Sequence, residues 1–172
     1  MEPHIINQKN IYTKAPAEPN IIMANTYTQI FYHVVFAVKG RKNLISSHWK
    51  DDLYKYISGI ISNNGQKLYI INGMPDHVHI LISCKPNIAL SNIVKEIKEH
   101  SSKYINEESF VNGKFSWQEG FGAFSVSFRN VEQVVNYIKN QEEHHKIKSF
   151  KEEYLQFLNE QNIDFEEKYV FE

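Results

Sequence analysis

Two histidines one residue apart, His77 and His79, stand in the run Asp76-His77-Val78-His79-Ile80-Leu81-Ile82. Side chains alternate between the faces of a β-strand, so these two imidazoles project together while Val78, Ile80 and Ile82 point the other way. Neighbouring imidazoles on a rigid strand suit a divalent metal. The same pattern also describes two ordinary strand histidines. Farther along, Tyr137 and Gln141 lie four residues apart, one helical turn, with His144 close to the same line. A phenol with a pKa near 10 is a weak nucleophile. Beside a metal that polarises a phosphate it becomes a workable one, and a tyrosine–phosphate ester keeps the broken bond available for rejoining. Taken alone, Tyr137 reads as a helix-packing aromatic, as most of the 10 tyrosines must be.

Several elements must position these groups. Tyr27–Val38, rich in aromatic and β-branched residues, predicts a first strand that ends in the basic turn Lys39-Gly40-Arg41-Lys42. Ser46 or Ser47 is placed to cap a helix running to about Asn63, on which Trp49, Leu53, Tyr56, Ile57, Ile60 and Ile61 fall at helical spacing. Asn64-Gly65 stops it. Gln66–Asn72 and His77–Ser83 predict two strands joined by Gly73-Met74-Pro75-Asp76. Asn87–Ile105 predicts a second helix, Gly122–Phe128 a fourth strand, Val131 to about Lys148 a third helix, and Phe150–Asn159 a last short one. The order β-α-β-β-α-β is that of an α+β, ferredoxin-like antiparallel sheet with two helices on one face and additional C-terminal helices. The second face remains for a site, a partner or those later helices.

At 172 residues with 42% apolar and 13% aromatic content, the chain suits one globular domain, expected over residues 23–172. Residues 1–22 lack a periodic apolar pattern, contain Pro3, Pro16 and Pro19, and read as a flexible extension, with Met23 as a second candidate start. No apolar run approaches the roughly 20 residues of a membrane helix. The single cysteine, Cys84, excludes an intrachain disulfide and a cysteine-based zinc site, and fits a cytoplasmic protein. The net charge of −1 hides an uneven distribution. Residues 151–172 carry two lysines against seven acids, and residues 1–22 are balanced, so the segment between them is basic by four charges. That is compatible with a nucleic-acid partner.

The ordered set of motifs resembles the small HUH single-strand DNA transposases of the insertion-sequence 200/605 type, from Tyr27 to Phe171. His77-Val78-His79 matches the His-hydrophobic-His motif. Tyr137-Ile138-Lys139-Asn140-Gln141, followed by Glu142-Glu143-His144-His145, matches the nucleophile helix. Trp117 to Ser127 matches the approach to the fourth strand, and Thr28–Lys39 the opening strand and turn. The resemblance implies that His77, His79 and Gln141 hold Mg2+ or Mn2+, and that Tyr137 attacks the phosphate to leave a 5'-phosphotyrosine and a free 3'-hydroxyl. It implies substrates that are hairpins at single-stranded DNA ends, no nucleotide cofactor, and a homodimer in which Tyr137 of one chain can serve the histidines of the other. In relaxases, which share the chemistry, the tyrosine comes before the histidines; here it follows them.

Lys39, Arg41 and Lys42 in the basic turn, and Lys95, Lys98 and Lys103 on the second helix, are candidate contacts to the DNA backbone, with solvated surface cations as the alternative. Trp117, Phe121 and Phe124 are candidates for stacking on bases or for packing. His33, His48 and His100 read as structural or surface residues, and the acidic tail with Glu166 and Glu167 as a solvated end. Two further functions stay open: a host-adopted relative that processes genomic palindromes, and a hairpin-DNA binding protein without catalysis.

Overall fold

The structure, a computed structural model, describes residues 27–166 and Val170. The predicted extension at residues 1–22 lies outside the described residues. Four strands form one antiparallel sheet in the order β2-β3-β1-β4: β1 Phe31–Ala37, β2 Lys67–Met74, β3 His77–Ser83 and β4 Gly122–Val126. Helices α1, Lys50–Asn63, and α2, Leu90–Glu107, are the crossovers. This is the ferredoxin-like arrangement expected from the element order.

The alternation read from β3 sorts the sheet into two faces. Val78, Ile80 and Ile82 join Val34 and Phe36 of β1 against Leu53, Ile57 and Ile61 of α1 and Ile93, Val94, Ile97 and Ile105 of α2. All are nearly inaccessible to water. Each such side chain contributes about 1.5–3 kcal/mol of transfer free energy, so this layer is the main driving force of the fold. Gly65, at φ 68°, ends α1 as its sequence position suggested. The predicted serine cap differs: the first helical turn follows Trp49, whose N–H donates to the Ser46 carbonyl, and the Ser46 hydroxyl accepts from the His48 N–H.

The β2–β3 connection is a Pro75-Asp76 turn, with Met74 paired to His77 and Gly73 to Val78. A Cβ on Gly73 would lie 2.2 Å from the His77 carbonyl oxygen, so only glycine permits this approach. The turn is fixed from outside by Arg41, which donates to the Asp76 carboxylate from the basic turn after β1.

The second sheet face is covered by the chain's own later helices. The single helix predicted from Val131 to Lys148 is broken at Asn140 into α3, Val131–Lys139, and α4, Gln141–His144. Asn72 of β2 pins the break by donating to the Ile138 and Lys139 carbonyls at 3.0 and 3.2 Å. Helix α5, Phe150–Glu160, begins with a capping box in which Ser149 and Glu152 satisfy each other's backbone N–H groups. Phe150 and Leu158 of α5 pack on Val35, Ala37 and Phe124. Among the described residues no helix is long and apolar enough to cross a membrane.

Candidate active site and metal centre

The face of the sheet under α3, α4 and α5 carries Phe31, His33, Val35 and Ala37 from β1 and His77, His79 and Leu81 from β3. Antiparallel pairing sets Ala37 opposite His77, Val35 opposite His79 and His33 opposite Leu81. His77 and His79 do project together, and α5 seals them to 1% and 0% exposure. The His77 Nδ1 lies 2.7 Å from Asp76 Oδ1, and its Nε2 is 3.1 Å from the Nε2 of His145. The His79 Nδ1 shares a hydrogen bond of 2.9 Å with His33 Nε2.

Helices α3 and α4 deliver Tyr137, Gln141 and His144 to the same place, as their spacing suggested. The Tyr137 ring centroid is 6.1 Å from that of His79, within one chain. Its hydroxyl donates to Glu153 Oε1 and lies 3.4 Å from His144 Nε2. Gln141 is fully buried, and its amide nitrogen donates to Glu153 Oε1 at 3.2 Å.

Three participants were not among the predicted site residues. His33, read as structural, is buried beside His79. His145 comes in because the break at Asn140 turns the following residues inward. Glu153, on α5, sits with Oε2 at 3.5 Å from His79 Nε2 and 3.3 Å from His145 Nε2. A capping box followed by the apolar pattern of α5 announces a buried face with Glu153 on it, since Phe150, Glu153 and Phe157 recur at helical spacing. That was the available sequence signal for Glu153.

Burial governs the electrostatics. It lowers the pKa of His77, drives that of His79 well down, and brings His33 and His145 to about 4. All four are therefore neutral imidazoles near pH 7, the form that binds metal. Burial raises Glu153 to about 8. Burial also opposes ionisation of Asp76, but His77 and Arg41 donate to it and hold its carboxyl at about 2.

The residues fit a divalent cation. Four buried side-chain polar atoms among the described residues lack a hydrogen-bond partner, and three of them are His79 Nε2, Gln141 Oε1 and Glu153 Oε2. Unsatisfied buried acceptors are costly, and a cation satisfies all three at once. His77, His79, His145 and Glu153 each offer a ligand atom, all within 4.8 Å of one another.

Two of the clefts beside α5 reach the site. One, about 390 Å³, exposes Tyr137 between Phe124, Asn130, Gln133 and Phe157. The other, about 580 Å³, reaches His77 and His145 past Arg41, Pro75 and Lys151.

The candidate DNA-binding cations are distributed differently. Lys39 and Lys42 are exposed on the turn. Arg41 is engaged with Asp76 and lies 3.8 Å above the Phe150 ring. Lys95 is exposed, Lys103 is exposed beside Glu107 at 3.7 Å, and Lys98 donates to the Gln118 and Gly120 carbonyls at 2.6 Å each. Lys95 and Lys98 line a groove with Trp117 and Phe121. Trp117 and Phe124 are core residues, whereas Phe121 remains partly exposed.

Comparison with known proteins matches residues 26–141 to the family described as "Transposase IS200 like". Over 118 residues the chain is 29% identical to the ISDra2 transposase TnpA of Deinococcus radiodurans, covering 66% of this chain and 84% of that protein. Over 131 residues it is 24% identical to the transposase for insertion sequence element IS200 of Salmonella typhimurium, covering 73% and 85%. A solved Deinococcus radiodurans protein described as a transposase superposes with a TM-score of 0.53 at 25% identity, over 69% of this chain and 95% of that one. A REP-associated tyrosine transposase bound to a REP hairpin gives a TM-score of 0.55 at 14% identity, covering 71% and 72%, and shares the fold.

Proposed function

The chain belongs to the IS200-like transposase family, and from that premise we propose that it cleaves and rejoins single-stranded DNA at hairpin ends, with Tyr137 as nucleophile. The observation that carries this reading is the placement, inside one chain, of the Tyr137 ring 6.1 Å from that of His79 in the buried histidine pair, together with the unpartnered Gln141 Oε1.

His77, His79 and Gln141 would hold a divalent metal, Mg2+ or Mn2+, which when bound supplies Lewis-acid polarisation of the scissile phosphate. The Tyr137 oxygen attacks phosphorus and forms a phosphotyrosine bond to the 5' side. The bond from phosphorus to the neighbouring 3'-oxygen breaks, and that oxygen leaves as a hydroxyl on taking a proton. The phenolic proton has Glu153 Oε1 and His144 Nε2 within reach. Rejoining reverses these steps with an incoming 3'-hydroxyl. Asp76 accepts from His77 Nδ1, which fixes that ring with Nε2 turned inward. The exposed Lys39, Lys42, Lys95 and Lys103, and the groove beside Phe121, are placed for phosphate and base contacts.

Incubation of the protein with a labelled hairpin oligonucleotide and Mg2+ or Mn2+ tests this. The expected product is a protein–DNA adduct that survives denaturing electrophoresis, and Tyr137→Phe abolishes it while hairpin binding persists. Cleavage by Tyr137→Phe at the wild-type rate rejects the assignment. A homodimer with exchanged tyrosines is part of the same proposal: a mixture of Tyr137→Phe and His77→Ala chains regains activity if the tyrosine works on the partner's histidines, and stays inactive if each chain works alone. Matching hairpins in the DNA flanking the gene would assign the activity to a mobile element, and their absence to a host-adopted role.

A further inference from the structure

The family match ends at Gln141, yet the site contains groups from beyond it: besides His144, these are His145 on the α4–α5 connection and Glu153 on α5. His145 Nδ1 lies 2.9 Å from the Lys148 carbonyl oxygen, which only accepts, so Nδ1 carries the proton and Nε2 carries a lone pair. His77 Nδ1 likewise donates to the ionised Asp76, leaving a lone pair on its Nε2. These two Nε2 atoms face each other at 3.1 Å. Two acceptors at that distance repel unless a cation lies between them. The unpartnered His79 Nε2 and Glu153 Oε2 complete the group, at 3.3 and 3.5 Å for the two contacts that Glu153 makes.

His77, His79, His145 and Glu153 bring one ligand atom each to within 4.8 Å of the others. Three imidazole nitrogens and one carboxylate form a donor set that Mg2+, with its preference for oxygen and retained water, binds poorly.

We propose that His145 and Glu153 join His77, His79 and Gln141 as direct ligands of a divalent transition metal, in a site that selects zinc or manganese over magnesium. The proposal rests on the metal reading of the active site above and adds the third imidazole, the carboxylate and the selectivity. Glu153 then has two roles at once, because its Oε1 accepts from Tyr137 and Gln141 while its Oε2 faces the cation. Helix α5 thereby ties the nucleophile to the metal.

Calorimetric titration of the metal-stripped full-length chain with Zn2+, Mn2+ or Mg2+ alone, without DNA, tests it. One ion per chain is expected, with zinc bound at least about a hundredfold more tightly than magnesium and manganese between the two. Glu153→Gln and His145→Asn, each shown to be folded by circular dichroism, should weaken zinc binding by roughly tenfold or more, and Glu153→Asp should recover part of the loss. Unchanged zinc affinity in both variants, or magnesium bound as tightly as zinc, overturns the proposal. If His77→Ala abolishes binding while Glu153→Gln and His145→Asn do not, the two added ligands are wrong and the metal reading of the active site survives. If His77→Ala also leaves binding intact, both fall.

Discussion

Replacing Gly122 with alanine tests how α5 is held over the site. Gly122 lies on edge strand β4, where an added Cβ would sit 2.7 Å from the Tyr154 hydroxyl oxygen and 2.9 and 3.0 Å from two of its ring carbons. Carbon atoms pack at about 3.5–4.0 Å, so the ring must retreat by roughly 0.5–1 Å. It is confined by Phe124 and Phe150, whose ring centroids are 6.3 and 5.4 Å away, and α5 must move with it. Overpacking of this kind costs about 1–3 kcal/mol. Removing a strand glycine returns about 0.5–1 kcal/mol, so the net loss centres on about 1 kcal/mol within a range of about 0–2.5. For a chain of this length a loss of about 1 kcal/mol lowers the melting temperature by roughly 2–4 °C. Hydrogen exchange should quicken across Phe150–Glu160 more than across α1 or α2. In a double-mutant cycle, Tyr154→Ala should cost about 1–2 kcal/mol less in the Gly122→Ala background than in the wild type. A melting temperature for Gly122→Ala at or above wild type, or costs that add to within about 0.5 kcal/mol, would refute the contact as what seats α5.

Other predictions concern parts of the fold away from the site. Ser101, fully buried on α2, accepts from the Trp117 indole N–H at 2.9 Å. Ser101→Ala strands that donor and should cost about 1–3 kcal/mol in urea unfolding, whereas the same change in a Trp117→Phe background should cost clearly less. Burial raises the Cys84 thiol to about 11. At pH 8 the thiolate fraction is then about 0.1%, against about a quarter for a free cysteine, so alkylation of the folded protein should run at least about a hundredfold slower than in urea. Because the folded pKa lies above the unfolded one, this protection persists up to pH 8.5 and fades as the pH approaches 11. A native rate within threefold of the unfolded rate at pH 8 would contradict the burial of Cys84.

Much of this protein could be read from local pattern. The strand His77–Ser83 is observed with the bounds its sequence gives, because alternation of period two is a property of neighbouring residues and directly assigns Val78, Ile80 and Ile82 to the core and the two histidines to the opposite face. The last helix is equally legible, since Ser149 and Glu152 write its capping box in four residues. The third helix shows where local reading stops. Its apolar spacing continues past Asn140, but the helix breaks there because Asn72, on a strand far away in sequence, takes the Ile138 and Lys139 carbonyls.

The sequence by itself determined the element order, the two faces of the sheet, and the types of group in the site: a histidine pair, a tyrosine and a glutamine at spacings that suit metal-assisted attack on phosphate. Only the tertiary structure decided which distant residues complete that site. Antiparallel register set His33 beside His79, the break at Asn140 turned His145 toward His77, and the docking of α5 inserted Glu153 between the histidines and Tyr137. Periodicity along a chain fixes the direction of a side chain relative to its own element. What it meets there depends on register and on helix docking, and both are settled by the packing of the whole domain.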